Sequence, residues 1–95
     1  MGTIVKKALR EYLASTRLGE RIIISVLDEG ISIKQGAKET PIKFNYISSL
    51  IKGSDLPLSK TGATLSYYDM MGNQEKIEFV MNATAFPALK ADVRK

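Results

Sequence analysis

The first eighteen residues carry apolar side chains at helical spacing. Lysines and arginines occupy the positions between them. The hydroxyl of Thr3 can cap the start of a helix, and Gly19 suits its end. Apolar residues that recur every three or four positions lie on one side of a helix. Residues 1–18 are therefore predicted to form a leading helix with an apolar stripe of Ile4, Val5, Ala8, Leu9, Tyr12 and Leu13.

Between residues 20 and 82 the apolar positions alternate, which is the period of β-strands. Residues 21–27 and 31–34 flank the turn sequence Asp28-Glu29-Gly30, and this arrangement predicts a hairpin. Alternation at residues 42–46 predicts a third strand. Residues 47–52 fit either a fourth short strand or a helical turn, because their apolar positions suit both periods.

The second half of this region predicts one more hairpin. Residues 53–62 contain two glycines and Pro57, so they are predicted to form a loop. Residues 63–69 and 76–81 alternate and flank the tip sequence Met70-Met71-Gly72-Asn73.

A second helix is predicted over residues 84–95. Phe86, Leu89 and Val93 recur on one face, and Pro87 is tolerated in a first turn, where its missing N–H has no partner to lose. The helix should therefore begin near Thr84 and cover one end of the strands.

The order of elements predicts an α+β, mainly β chain. It comprises a leading helix, about six antiparallel strands in a split barrel, and a capping helix. Its 95 residues suit a single domain spanning residues 1–95, with parts at 1–18, 20–82 and 84–95.

Composition narrows the chemistry. The chain has neither cysteine nor histidine, so it lacks thiolate chemistry, the commonest general base and the commonest metal ligands. The glycines lack the residues that complete a phosphate-binding loop. We therefore expect no enzyme activity, no cofactor and no metal. No apolar run is long enough to span a membrane and no signal peptide is evident, so a cytoplasmic location is expected.

One stretch resembles a known family. The segment GERIIISVLDEGISIKQGAKETPIKFNYISSLIKG, residues 19–53, resembles the first strands of pleckstrin-homology-like and GRAM-like domains. The segment GNQEKIEFVMNATAFPALKADVRK, residues 72–95, resembles their last strand and capping helix. The resemblance implies a small split β-barrel. It departs from the family in its leading helix and in Asp28 and Glu29, whose carboxylates would repel a lipid phosphate.

The alternative architecture is a roadblock-like or longin-like α/β sandwich, which also starts with a helix followed by a hairpin. That architecture needs a substantial middle helix. Pro41, Gly53 and Pro57 leave room only for a short one between residues 45 and 52.

Positive charge is concentrated at the two ends of the chain. The formal net charge is +4, and the middle of the sequence is close to neutral. Basic ends can contact an anionic membrane surface, whereas nucleic-acid binding is not expected because aromatic residues are few. The candidate anion contacts are Lys6, Lys7, Arg10, Lys90, Arg94 and Lys95.

The predicted hairpin tip is the sharpest candidate surface. Tyr68, Met70 and Met71 place soft apolar side chains beside a turn, where flexible thioethers suit adaptable contacts. The alternative interpretation is structural: one of the two methionines folds back on the core. We therefore expect a non-enzymatic module that binds a protein partner or another copy of itself; the alternative is a peripheral binder of anionic lipid.

Overall fold

The computed structural model describes residues 9–93, which form one antiparallel sheet and one helix. The strand order across the sheet is β4-β3-β2-β1-β7-β6-β5. A single 3₁₀ turn, Phe44–Tyr46, joins β4 to β5. The elements are β1 (Arg10–Ser15), β2 (Arg21–Val26), β3 (Gly30–Gln35), β4 (Lys38–Lys43), β5 (Ile47–Leu56), β6 (Lys60–Tyr68), β7 (Gln74–Asn82) and α1 (Phe86–Val93).

The predicted leading helix is wrong where the chain is described. Arg10–Ser15 is strand β1, and the earlier part of the predicted helix, residues 1–8, lies outside the described residues. Tyr12 and Ala14 are buried while Leu13 is 72% exposed, which is the two-residue alternation of a strand. β1 pairs with β2 on one side and β7 on the other, so cross-strand pairing decides its conformation.

The first predicted hairpin is confirmed. β2 pairs with β3 through a register that places Val26 opposite Ile31, and the Leu27 N–H donates to the Gly30 carbonyl at 2.8 Å. A Cβ on Gly30 would collide with the backbone carbonyl of Ile42. The approach of β4 to the start of β3 therefore requires glycine there.

The structure of the middle of the chain corrects four expectations from the sequence. Of residues 53–62, which the pattern predicts as loop, only 57–59 lie outside a strand, because residues 53–56 complete the ten-residue strand β5 and residues 60–62 begin β6. The predicted third strand ends at Lys43 instead of residue 46. Within the described residues, the 3₁₀ turn is the only helical element before α1, so the α/β-sandwich alternative is wrong. The helix-plus-six-strand barrel is also wrong, because the sheet has seven strands and remains open, with β4 and β5 at its edges.

The second hairpin and the capping helix are confirmed. β6 pairs with β7 along its whole length around a turn at residues 70–73. α1 buries the predicted stripe of Phe86, Leu89 and Val93, and Pro87 lies in its first turn. The regular helix begins two residues later than Thr84, after a turn.

One hydrophobic core holds the sheet together. Its members come from both halves of the sheet and from α1, so the β4–β1 half and the β7–β5 half face each other across the core. β1 makes only two residue pairs with β7 against six with β2, which identifies the joint where the sheet bends. The largest fully buried side chains include Ile22, Ile24, Ile31, Leu65, Met81 and Leu89. No helix among the described residues is long and apolar enough to cross a membrane.

Candidate functional site: a tyrosine cleft

A cleft of about 410 Å³ opens where the two halves of the sheet meet above the core. It is bounded by the β2–β3 turn, the end of β4, the 3₁₀ turn and the β6–β7 tip. We call it the tyrosine cleft, because Tyr46, Tyr67 and Tyr68 supply its aromatic surface. Apolar parts of its wall come from Leu27, Ile31, Pro41, Ile42 and Met70.

Alternation along β6 explains how Tyr67 reaches this position. Tyr67 follows Leu65 on the core-facing side of the strand, but it lies near the strand's end. Its ring packs against the edge of the core and also lines the cleft. Tyr68 is 43% exposed, so the end of β6 offers a partly open aromatic surface.

The charges around the cleft are mainly negative. Glu29, Asp69 and Glu75 line it together with one cationic side chain, Lys43. Glu75 is the direct cross-strand partner of Tyr67, so its carboxylate lies on the same face of the hairpin. The pKa of Tyr67 is raised above 10.0, first by burial and then by the negative charges of Glu75 and Asp69. The cleft is thus an acidic surface on a chain whose net charge is +4.

The β6–β7 tip is built around Asp69. Its carboxylate accepts hydrogen bonds from the backbone N–H groups of Met71 at 2.9 Å and Asn73 at 2.8 Å. Gly72 adopts a φ of +84°, a conformation that glycine adopts without steric cost. The backbone donors, that of Asn73 foremost, lower the pKa of Asp69. The turn is therefore ordered by hydrogen bonds and does not depend on burial of its methionines.

The structure places the predicted tip residues on the surface. Met70 is 93% exposed and Met71 is 85% exposed, so neither folds back on the core. Tyr68 and Met70 line the cleft, and Met71 follows directly beside it. The predicted contact tip is thus one wall of a larger concave site.

The predicted anion contacts do not form one patch within the described part of the chain. Lys6, Lys7, Arg94 and Lys95 lie outside residues 9–93. The guanidinium of Arg10 lies 3.6 Å from the carboxylate of Asp92, which is buried. Lys90 lies on α1 beside a small depression against β5.

A second surface groups exposed leucines with basic residues. A shallow groove of about 650 Å³ runs between the β1–β2 turn, at residues 16–20, and the β5–β6 turn, at residues 57–59. Leu18 is 98% exposed and Leu58 is 89% exposed at these two turns. Leu58 and Ser59 both have positive φ, which is strained for side-chain-bearing residues. Arg17 and Lys60 line the groove between them.

Sequence reasoning missed most of the cleft. Pro41 and Lys43 lie on β4, in a different half of the sheet from Tyr67 and Glu75, and Tyr46 lies on the 3₁₀ turn after β4. Only the bend of the sheet brings these residues together. The adjacent tyrosines 67 and 68 were the one available signal, since neighbours on a strand cannot both be buried in the same core.

Among residues 9–93, no group of three or more Asp, Glu, His or Cys side chains could hold a metal ion. The three carboxylates that line the cleft therefore do not form such a group. Comparisons with protein-family models and with curated proteins found no match to this chain.

Proposed function

We propose that the protein is a docking module that binds a protein partner through the tyrosine cleft and the β6–β7 tip. The observation that carries the proposal is the placement of two almost fully exposed methionines beside an aromatic, concave surface. Tyrosine and methionine are enriched at protein interfaces, because they offer large contact areas to a partner.

The fold supports this function without establishing a family. A small antiparallel sheet with a C-terminal helix is compatible with the pleckstrin-homology-like resemblance, whose members include interaction modules. The cleft lies on strands and a short ordered turn, so its shape is preorganised and little ordering cost would be paid on binding.

The test compares the double variant M70S/M71S with the unchanged protein in affinity capture from the native host. We expect the melting temperature to stay within about 1 °C, because exposed side chains contribute little to stability. We expect a specific subset of captured proteins to be lost, because the partner would lose its contacts with both thioethers.

The double variant L18S/L58S is the matched control, since it removes two equally exposed apolar side chains from another surface. Proteins retained by the control and lost by M70S/M71S are partners of the cleft. Equal capture by all three proteins would contradict the proposal. A fall of several degrees in the melting temperature of M70S/M71S would show that the tip supports the fold instead. Sedimentation across a concentration series shows whether the captured partner is a second copy.

A second candidate function, peripheral binding to anionic membranes, is favoured by the groove between the β1–β2 and β5–β6 turns, which we call the leucine-tipped groove. Leu18 and Leu58 are exposed at neighbouring turns, with Arg17 and Lys60 between them. Exposed apolar side chains flanked by cations suit the interface of an anionic bilayer. The net charge of +4 would add a long-range attraction to an anionic surface.

Co-sedimentation with vesicles tests the second candidate. We expect binding to vesicles containing phosphatidylserine, weaker binding at high salt and a clear loss for L18S/L58S. M70S/M71S serves here as the control. Equal sedimentation of the unchanged protein with neutral and anionic vesicles would contradict a charge-dependent membrane function.

A further inference from the structure

We propose that the tyrosine cleft recognises a cationic side chain, lysine or arginine, presented by the protein partner. This inference rests on the proposed docking function and names the chemistry of the group that the cleft takes. Three observations support it: the aromatic surface of the cleft, the carboxylates that line it, and the negative charge of the cleft on a chain whose net charge is positive.

The aromatic surface of the cleft favours a cation with a long apolar stem. Tyr46, Tyr67 and Tyr68 come from the 3₁₀ turn and the end of β6 and line one concave space. The face of an aromatic ring carries partial negative charge, so it attracts ammonium and guanidinium groups while also covering their aliphatic stems. A cationic side chain with a long apolar stem therefore suits both properties of this wall.

Two carboxylates beside the tyrosines, those of Glu75 and Asp69, can pair with a cation. Glu75 lies opposite Tyr67 in the β6–β7 ladder and is exposed, and it has no ion-pair or hydrogen-bond partner among the described residues. Asp69 adds a second negative charge at the tip; its oxygens are held by the turn, so its position is fixed. An ammonium or guanidinium group bound over the tyrosines would thus meet a carboxylate that is available for pairing.

The charges that line the cleft differ in sign from the net charge of the whole chain. Three carboxylates and one ammonium group line the cleft, although lysine and arginine outnumber aspartate and glutamate by 14 to 10 in the whole chain. An anionic partner group would be repelled by the excess of carboxylates in the cleft, whereas a cationic group would be attracted by it. Charge complementarity therefore selects a cation.

The experiment is an NMR titration with four small probes of one backbone design. They are the N-acetyl, N′-methylamide derivatives of lysine, arginine, norleucine and glutamate. Norleucine has the aliphatic stem of lysine without its charge. We expect saturable shifts at the amides of residues 67–70 and 75 with the lysine and arginine probes. Binding of norleucine should be about tenfold weaker, the ratio that a cation–π contact with a carboxylate partner can supply.

Two variants separate the cation contact from other effects. Glu75→Gln keeps the size of the side chain and removes its charge, so it should weaken lysine binding by about fivefold and leave norleucine binding unchanged. Glu78→Gln is the matched control, because Glu78 is an exposed residue of the same strand that faces the leucine-tipped groove. It should leave both probes unaffected.

The outcomes distinguish this inference from the docking function itself. If norleucine binds the cleft as tightly as lysine, or if Glu75→Gln changes nothing, the cleft does not select cations and the inference is overturned, while an apolar docking site remains. If lysine and arginine produce no shifts in the cleft, the inference is also overturned, and the capture experiment with M70S/M71S decides the docking function independently.

Discussion

At the scale of single residues, one buried hydrogen bond ties the two ends of the described chain together. The Tyr12 hydroxyl donates to the Asp92 carboxylate over 2.6 Å, which joins β1 to α1 across 80 positions of sequence. The Asp92 side chain is 6% exposed, and the Arg10 guanidinium lies 3.6 Å from the same oxygen. A carboxylate buried to this degree needs such partners, because desolvation penalises an unpaired charge.

Replacing Tyr12 by phenylalanine should therefore destabilise the fold. The variant keeps the ring but removes the donor to the buried carboxylate, which costs about 1–3 kcal/mol in free energy of unfolding. Urea denaturation measures this change. Tyr68→Phe is the control; its hydroxyl is at the surface, so it should change the free energy by less than about 0.5 kcal/mol. Equal effects for the two variants would show that the Tyr12 bond contributes nothing specific.

The raised pKa values of Tyr12 and Tyr67 predict a loss of stability at alkaline pH. Burial is the main cause that raises the pKa values of Tyr12 and Tyr67 above 10.0, followed by the hydrogen bond from Tyr12 to Asp92 and, for Tyr67, by nearby carboxylates. A raised folded-state pKa means that the folded state holds its proton longer. The stabilisation is thus complete below pH 10 and is lost as the pH rises through the folded-state values.

Denaturation curves measured at several pH values above about 10 test whether the free energy of unfolding falls as predicted. The free energy of unfolding should fall less steeply above about pH 10 for Tyr12→Phe than for the unchanged protein, because one of the two linked protons is gone. Lysines titrate in both proteins, so the difference between the two slopes isolates the tyrosine. A steeper fall in the variant would contradict the assignment.

At the scale of elements, β1 shows how one segment satisfies two periodicities. Its apolar residues fit a helical stripe, but the structure buries only Tyr12 and Ala14 and exposes Leu13. The pairing of Leu13 with Ile23 on β2 and the neighbouring ladder to β7 stabilise the extended form. Tertiary pairing overrides a weak local preference in this segment.

The variant Leu13→Thr tests whether this segment is a strand with Leu13 exposed or a helix with Leu13 in its apolar stripe. On an exposed strand position, threonine is well accommodated, so the free energy of unfolding should change by less than about 0.5 kcal/mol. The contrasting variant Ala14→Leu adds bulk at a buried position and should cost about 1–3 kcal/mol. Chemical denaturation of both variants gives the answer. A larger loss for Leu13→Thr than for Ala14→Leu would indicate that Leu13 belongs to the core.

The β6–β7 tip predicts a pH-dependent turn. The pKa of Asp69 is lowered from 3.8 mainly by the Asn73 backbone donor, so the hydrogen bonds of the turn are stabilising above pH 3.8 and are lost as the pH falls through the lowered value. The amide resonances of Met71 and Asn73, followed by NMR from about pH 7 to about pH 2, should titrate with a midpoint below 3.8.

Asp69→Asn provides the comparison for this titration. An asparagine can still accept hydrogen bonds from the turn but cannot titrate, so the pH-dependent shift of both amides should disappear. A midpoint at or above 3.8 in the unchanged protein would contradict the hydrogen-bond geometry of the tip.

At the scale of the whole molecule, β1 is the joint between the two halves of the sheet. It connects β2 to β7, and the core lies between the halves that it joins. The two free edges differ: β4 carries Pro41, which lacks an N–H group, whereas β5 is long and has no proline. Proline discourages pairing with other chains at the β4 edge, and on β5 two irregularities of the ladder and the contact with α1 have the same effect.

A chain that begins at Arg17 should not fold, because it lacks β1. We expect the loss of cooperative thermal unfolding and of the near-ultraviolet circular dichroism signal that a packed core produces. Leu13→Thr, which retains β1, is the folded reference. A cooperatively folded product beginning at Arg17 would show that the two halves assemble without their joint.

Local patterns were sufficient wherever neighbouring residues decide the structure. The turn at Asp28-Glu29-Gly30, the tip at residues 70–73 and the stripe of α1 were all predictable, because turn chemistry and periodicity act over a few residues. Residues 53–56 contain a glycine and a serine, which suit loops, yet Asp55 and Leu56 pair with β6 and only Gly53 and Ser54 form an irregularity in the ladder.

The sequence by itself determined the alternation of the β-rich middle, the capping helix and the exclusion of histidine and cysteine chemistry, since these depend on composition and short-range order. Only the tertiary structure decided the identity of β1 and the existence of the cleft. Both depend on pairing and bending between segments far apart in the chain: Ala14 meets Met81, and Pro41 lines the same space as Tyr67. Single-sequence periodicity carries no information about which distant strand a segment will join.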